Sequence, residues 1–181
     1  VFQDNLRADV RGLIAALGAR GLAVEMLTGD TQAVARKTAL ELGISVWQAG
    51  VKPGDKAARL EKLRISGRRV LMVGDGLNDA AALALAHVSM APGSAADVSQ
   101  LAADMVLRSD ALLPILEAIG VARKARTLVL QNFALATLYN AVAIPIAALG
   151  LVTPLLAAAA MSSSSLLVSL NAMRLARGNF T

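Results

Sequence analysis

Two aspartates on either side of a glycine-containing turn, in VGDGLND from Val73 to Asp79, are the residues whose types and spacing point most directly to chemistry. Asp75 offers the hard carboxylate oxygen that Mg²⁺ takes, and Gly74 and Gly76 let backbone N–H groups approach an anion closely. Asn78 and Asp79 fall at the start of the next expected helix. There Asn78 can donate to a phosphoryl oxygen, the helix N-terminus favours negative charge, and Asp79 is a second candidate Mg²⁺ ligand. An ordinary Asx-rich turn with an N-cap is written with the same letters. Two other turns carry compatible groups. In LTGD, Thr28 can donate its hydroxyl to a phosphate, Gly29 lets the backbone pass close, and Asp30 can cap the following helix; alone, such a triplet is more often a plain strand-to-helix turn. In KPGDKAARL, Lys56 follows Pro53 early in a helix and can bring a point charge to a phosphate, although most helix lysines are simply solvated.

A second group of candidates lies in apolar surroundings. Tyr139 and Asn140 sit mid-way along one uncharged run, and Met161 and Ser165 share a helix face in the next at i, i+4. Polar groups inside a bilayer are costly and usually face a bundle interior or an ion path, and a thioether suits a soft cation such as Cu(I). Packing explains some of the same residues. Ser162 and Ser163 are read as small residues that let helices approach and bond back to carbonyls, Met161 has the alternative of a flexible filler, and Asn171 is read as interfacial or helix-packing. Pro145 is expected to kink its span. His87, the sole histidine, is taken as structural.

The elements that must position these groups follow from patterning. With 56% apolar residues, few aromatics and a mean hydropathy of +0.58, the chain is too apolar for an ordinary soluble domain of its length. The charges divide it in two. All 13 acidic residues lie at or before Glu117, and between Arg126 and Arg174 the only ionisable group is Tyr139. The small, dispersed positive excess of the first part argues against nucleic acid as a partner. The absence of cysteine excludes a disulfide framework and a thiolate metal site within these residues. The chain opens on VFQDNLRADV, without an initiator Met or a signal-like segment, and is expected to be the C-terminal piece of a longer protein.

Residues 1–109 alternate short strand-like runs with amphipathic helical patterns, which implies an open, doubly wound parallel α/β sheet with its chemistry at the carboxyl ends of the strands. TGD and GDGLND both fall at such ends. The continuously apolar VLMV before the second reads as a strand covered on both faces. Residues 110–126 read as a connecting helix with a basic cluster at Arg123, Lys124 and Arg126. Residues 127–150 and 151–173 are long enough for two membrane spans, with Gly and Pro at the turn between them and 174–181 as a tail. Basic residues at both outer ends place residues 1–126 and the tail on the cytoplasmic side of the membrane.

In their order and spacing, TGD, KPGDK and VGDGLND resemble the phosphorylation domain of P-type ATPases, within the haloacid-dehalogenase-like superfamily. The likeness continues upstream through DNLRADVRGLIAALGARGLAVEMLTGD, where Asp4 and Arg7 occupy familiar places, and downstream through AADMVL into the membrane hairpin. It implies an enzyme in which ATP transiently phosphorylates an aspartate and the cycle drives ion transport. On that reading Asp75 binds Mg²⁺, Thr28 and Lys56 hold the phosphoryl oxygens, Gly29 and Asp30 belong to the same TGD element of the catalytic site, and Asn78 and Asp79 complete it. The family's phosphorylated Asp lies in a DKTGT motif that does not occur here. ATP is therefore expected to be held mainly by the rest of the polypeptide, and these residues alone are expected to be inactive.

YN at Tyr139 and Asn140, with MxxSS at Met161, Ser164 and Ser165, resembles the last two membrane helices of the copper(I) class of heavy-metal P-type ATPases. It implies Cu(I) as the transported ion and admits a copper chaperone as a partner. A zinc transporter is expected to show Lys in the first span and Asp in the second. AHVSMAPGSAADV and GLVTPLLAAAAMSSSSLLVSLNAMR look more like the copper ATPases that support cytochrome oxidase assembly than the detoxifying exporters. The alternatives are a P-type ATPase for another metal such as Zn, and a membrane-anchored haloacid-dehalogenase-type phosphatase, since such phosphatases also carry GDGxND.

Overall fold

The computed structural model describes residues 7–75 and 77–176, which form two compact units divided after Leu116. Gly76, Asp4 and Arg177 lie outside the described residues.

In the first unit the chain runs α1 (Val10–Ala19), β1 (Glu25–Leu27), α2 (Gln32–Leu42), β2 (Val46–Gln48), α3 (Pro53–Ile65), β3 (Leu71–Val73), a 3₁₀ turn (Leu77–Asp79), α4 (Ala80–Leu85), β4 (Val88–Ala91), α5 (Asp97–Ala102) and β5 (Met105–Val106). Local chemistry sets the boundaries. Pro53 opens α3, where the Lys52 N–H donates to Asp55 Oδ2 at 3.2 Å. Gly43 ends α2 in the left-handed conformation, φ 70°, that glycine adopts without a Cβ penalty. All ladders are parallel, so each pair of strands needs a helical crossover. The α/β sheet expected from the sequence is therefore present, as two parallel sets: β1–β2, and β3–β4–β5 in that order.

The most covered strand is β4, not β3. Ser89, Met90 and Ala91 are buried, whereas Leu71, Met72 and Val73 are each half-buried. The reason is pairing: β4 has a neighbour on each side, while β3 pairs with β4 alone and its end opens onto a cleft shared with β1. Helices cover the sheets through Leu13, Ala39, Leu60 and Leu83, all buried. A fork joins layers, Arg59 of α3 donating to both oxygens of Glu25 on β1 at 2.8 and 2.9 Å. A reciprocal link ties β4 to the chain before β5: the N–H and hydroxyl of Ser89 donate to Asp104 Oδ2, and the Asp104 N–H returns to Ser89 Oγ.

The second unit consists of most of α6 (Pro114–Ala148) and all of α7 (Pro154–Met173). The expected connecting segment and first span are one uninterrupted helix of 35 residues, about 52 Å long at 1.5 Å per residue. That exceeds the roughly 30 Å of a bilayer's hydrocarbon core, and the charge-free part begins at Thr127. Pro145 stands one turn before the helix end, and α6 is assigned continuously across it. Thr153 caps α7, its Oγ1 accepting from the Leu156 N–H at 3.3 Å, and Pro154 supplies the first helical residue. Both helices are long and apolar enough to cross a membrane.

Candidate functional site

The carboxyl ends of β1 and β3 converge on a cleft of about 290 Å³ whose walls include Thr28, Lys56, Gly74, Asp75, Asp79 and Arg7. Three turns far apart in sequence are thus brought together, as strand-end chemistry in a parallel sheet requires. At its centre Lys56 Nζ lies 2.6 Å from Asp79 Oδ1, with the two side chains 12% and 10% exposed. A charge pair this well covered holds its geometry, because releasing either partner leaves a charge in a poorly solvated place. Gly74 is what admits it. A Cβ on Gly74 would stand 2.7 Å from Asp79 Cβ, so glycine here answers close approach.

Asp75, by contrast, is exposed into the cleft and receives Arg7 Nη2 at 3.3 Å. It is a hard-oxygen donor with open coordination, which fits Mg²⁺, an ion that takes one or two carboxylates and fills its remaining positions with water and phosphate. Asp79 is already engaged by Lys56. Thr28 lines the cleft, but its hydroxyl donates to Asp30 Oδ2 at 2.7 Å, and the Asp30 N–H donates back to Thr28 Oγ1. The expected cap is therefore absent: Thr31 takes the N-cap position of α2 with no side-chain bond, and the Asp30 carboxylate closes the turn on Thr28. An added Cβ on Gly29 would meet only Val51 O at an ordinary 3.7 Å, so packing within the protein does not by itself require glycine there. Asn78 is exposed within the 3₁₀ turn and outside the cleft lining.

Two residues beside the cleft had no role in the sequence reading. Besides Asp75, Arg7 reaches the Asp110 carbonyl and, at 3.5 Å, Ser94 Oγ. Two residues on, Asp9 Oδ2 accepts the N–H groups of both Leu112 and Leu113, just ahead of α6. Burial pushes the Asp9 carboxyl up, but these backbone donors and the nearby Arg7 outweigh it and hold the group below its usual value. Nothing local marks this pairing in sequence beyond an Asp at a helix start.

The helix pair presents a different picture. Leu128, Asn132, Ala136, Tyr139 and Ala143 of α6, and Ala160, Ser164, Val168 and Asn171 of α7, are the covered positions at helical spacing; the intervening residues are exposed. Asn171 Nδ2 donates to Asn132 Oδ1 at 2.8 Å, which fixes the antiparallel register of the two stripes. Counting from that bond along an antiparallel pair puts Tyr139 at the level of Ser164, and Ala143 at the level of Ala160. Asn140, Ser165 and Met161 each follow a seam residue by one position. In an antiparallel pair, that step of about 100° turns to the same side on both helices. Asn140, Met161 and Ser165 therefore share one face, with Asn140 about 3 Å from the level of each of the other two. All three are exposed there, Met161 at 70%, and Tyr139 is turned into the seam. Ser163 Oγ bonds back to the Ala160 carbonyl at 2.9 Å, the packing role expected of it.

Parallel strands that end on a Lys–Asp pair and an open carboxylate define the class as haloacid-dehalogenase-like, and the family model described as haloacid dehalogenase-like hydrolase matches residues 1–87. More narrowly, the chain belongs to the heavy-metal P-type ATPases, as their phosphorylation domain followed by the C-terminal pair of membrane helices. It is 53% identical over 172 residues to the nitrogen fixation protein FixI of Bradyrhizobium diazoefficiens, covering 95% of this chain and 24% of that one. It is 43% identical to the copper-exporting P-type ATPase of Bacillus subtilis, over 95% of this chain and 21% of that one. Among solved structures, a zinc-transporting PIB-type ATPase in its E2.Pi state matches with a TM-score of 0.90 at 36% identity, covering 96% of this chain and 28% of that one. The chain thus spans about a quarter of the length of the relatives it matches.

Proposed function

We propose that the chain is the C-terminal working part of an ATP-driven heavy-metal translocase in a bacterial inner membrane, and that the metal is Cu(I). In the cleft, Asp75 would hold Mg²⁺, which supplies charge neutralisation for a phosphoryl group when bound. Lys56, held by Asp79, places its ammonium beside the phosphoryl oxygens. Thr28, locked by Asp30, presents its oxygen on the opposite wall, and Asn78 reaches in only when the 3₁₀ turn moves. Gly74 leaves room for the Asp79 side chain beside the loop. ATP and the phosphorylated Asp come from the rest of the polypeptide. The basic flanks keep residues 1–126 and 174–181 on the cytoplasmic side, with 127–150 and 151–173 as the spans.

The observation that carries the metal assignment is the common face of Asn140, Met161 and Ser165. It sets a thioether, the one donor here that suits a soft cation, close in depth to an amide and a hydroxyl, with no charged group in either span to favour a divalent ion. Tyr139 would join by a turn of α6. Zn²⁺ is the second reading, supported by the 0.90 likeness to a zinc-transporting ATPase, a likeness that runs through the helix pair as well as the sheet. The test is ATPase activity of the full-length protein carrying this chain, titrated with each metal. Stimulation by Cu(I) and not by Zn²⁺ is expected; the reverse assigns zinc and removes the copper reading.

A further inference from the structure

The Asn171-to-Asn132 hydrogen bond couples the two helices in a region with no charge, and the same Asn171 amide accepts Arg174 Nη1 on its oxygen at 3.1 Å. Besides these two asparagines and Tyr139 and Ser164, the covered positions at the seam are small or apolar, among them Ala136, Ala143, Ala160 and Val168, and carry no polar side chain that would fix a register. A one-turn slip of about 5.4 Å would carry Met161 and Ser165 past Asn140 and dismantle their common level. A half-buried amide pair in an uncharged stretch resists such a slip, because another register separates its donor from its acceptor. Arg174, at the end of the uncharged run, anchors the donor helix where charge first becomes tolerable.

We propose that Asn132 and Asn171 are positioning residues for metal transport: their amide bond sets the register of α6 and α7 that holds Asn140, Met161 and Ser165 at one depth. The assignment rests on the metal reading above for its consequence, but the register itself is measurable without any metal.

The test uses the full-length protein with Asn132→Ala, Asn171→Ala and the double variant, each compared by three readouts. The first is the metal concentration for half-maximal ATPase stimulation, with Cu(I) and with Zn²⁺. The second is metal-free phosphorylation by inorganic phosphate, which reads the cleft alone. The third is the yield of the Ala143→Cys to Ala160→Cys cross-link with a short bifunctional thiol reagent, identified by mass spectrometry, against the off-register pair Ala143→Cys and Ala157→Cys. Each single variant is expected to raise the half-maximal metal concentration about tenfold. The double variant should be no worse than the worse single, because both break one contact. Phosphorylation by phosphate should stay within about twofold, and cross-linking should shift towards the off-register pair. Additive effects, an equal loss of phosphorylation by phosphate, or unchanged cross-link yields would overturn the proposal. If no metal stimulates the parent, the metal reading fails on its own, and the cross-link pattern still decides the register.

Discussion

The cleft and the helix pair solve opposite problems with the same chain. In the first unit, groups from Arg7, Thr28, Lys56, Asp75 and Asp79 converge on one space, and the central Lys56–Asp79 pair is nearly covered. In the second, the donors Asn140, Met161 and Ser165 are aligned on one face and stay exposed. A parallel sheet collects residues distant in sequence because every strand ends on the same side. Two helices define only one seam, and anything one step off the seam waits for a neighbour. The cleft's geometry is therefore tied to stability within these residues, whereas the face proposed for the metal is separable from it.

Substitution at Lys56 should separate the regions most. Lys56→Ala in the full-length protein is expected to reduce phosphoenzyme formation about 100-fold or more, since it removes a charge aimed at the phosphoryl group. It also breaks a well-covered ion pair, at a cost of about 3–5 kcal/mol, readable as a lower thermal unfolding midpoint. Normal phosphorylation in this variant would mean that the cleft is not the phosphoryl site.

Met161→Ala is the counterpart on the exposed face. It should raise the half-maximal metal concentration about tenfold while changing stability by no more than about 0.5 kcal/mol, the usual range for an exposed side chain. Ser162→Ala, outside that face, should change neither. Equal effects of Met161→Ala and Ser162→Ala would return the stretch to helix packing and leave the comparison between the regions without its second half.

A smaller contrast lies between two glycines of similar sequence context. Gly74→Ala drives a methyl into Asp79 and should cost about 1–3 kcal/mol, as overpacking does, with phosphorylation reduced because Asp79 is displaced from Lys56. Gly29→Ala meets only open space and an ordinary contact and should be near neutral. The measurement is the unfolding midpoint of the two variants side by side.

Those glycines also show what sequence can carry. Strand and helix boundaries were legible because they depend on neighbours: Pro53 opens α3, Gly43 closes α2, and the period switches at each turn. Roles set by distant partners were not. Gly29 and Gly74 look alike as letters, and only the Asp79 side chain above one of them makes it indispensable. Asp30 has the composition of a cap, yet its carboxylate is taken by Thr28 two residues away. Tyr139 and Asn140 read as a pair, but on a helix adjacent residues diverge by about 100°, so one entered the seam and the other the open face. The continuous apolar run at β3 read as a strand covered on both faces, yet β3 is only half-buried, and the pairing order made β4 the more covered strand. Arg7 and Asp9 act on residues 68 and more than 100 positions later, beyond any local pattern.

Asp9 supplies the smallest of the expected effects and a direct reading of that long-range tie. Its carboxylate accepts the backbone N–H groups of Leu112 and Leu113, and its folded-state pKa lies below its ordinary value. A carboxyl depressed by folding contributes stability that is complete at neutral pH, above an unfolded value near 3.9, and is lost as pH falls through the lower folded value. Asp9→Asn keeps an acceptor but removes the charge. Its unfolding midpoint should therefore fall slightly below the parent's at pH 7 and converge on it as pH falls through the lowered folded-state value, where the parent's carboxyl also becomes neutral. A difference that stays constant across the range would locate the contribution of Asp9 in packing. The predicted convergence would instead make the carboxylate's charge the element that ties α1 to the residues leading into α6, the one helix shared by the two units.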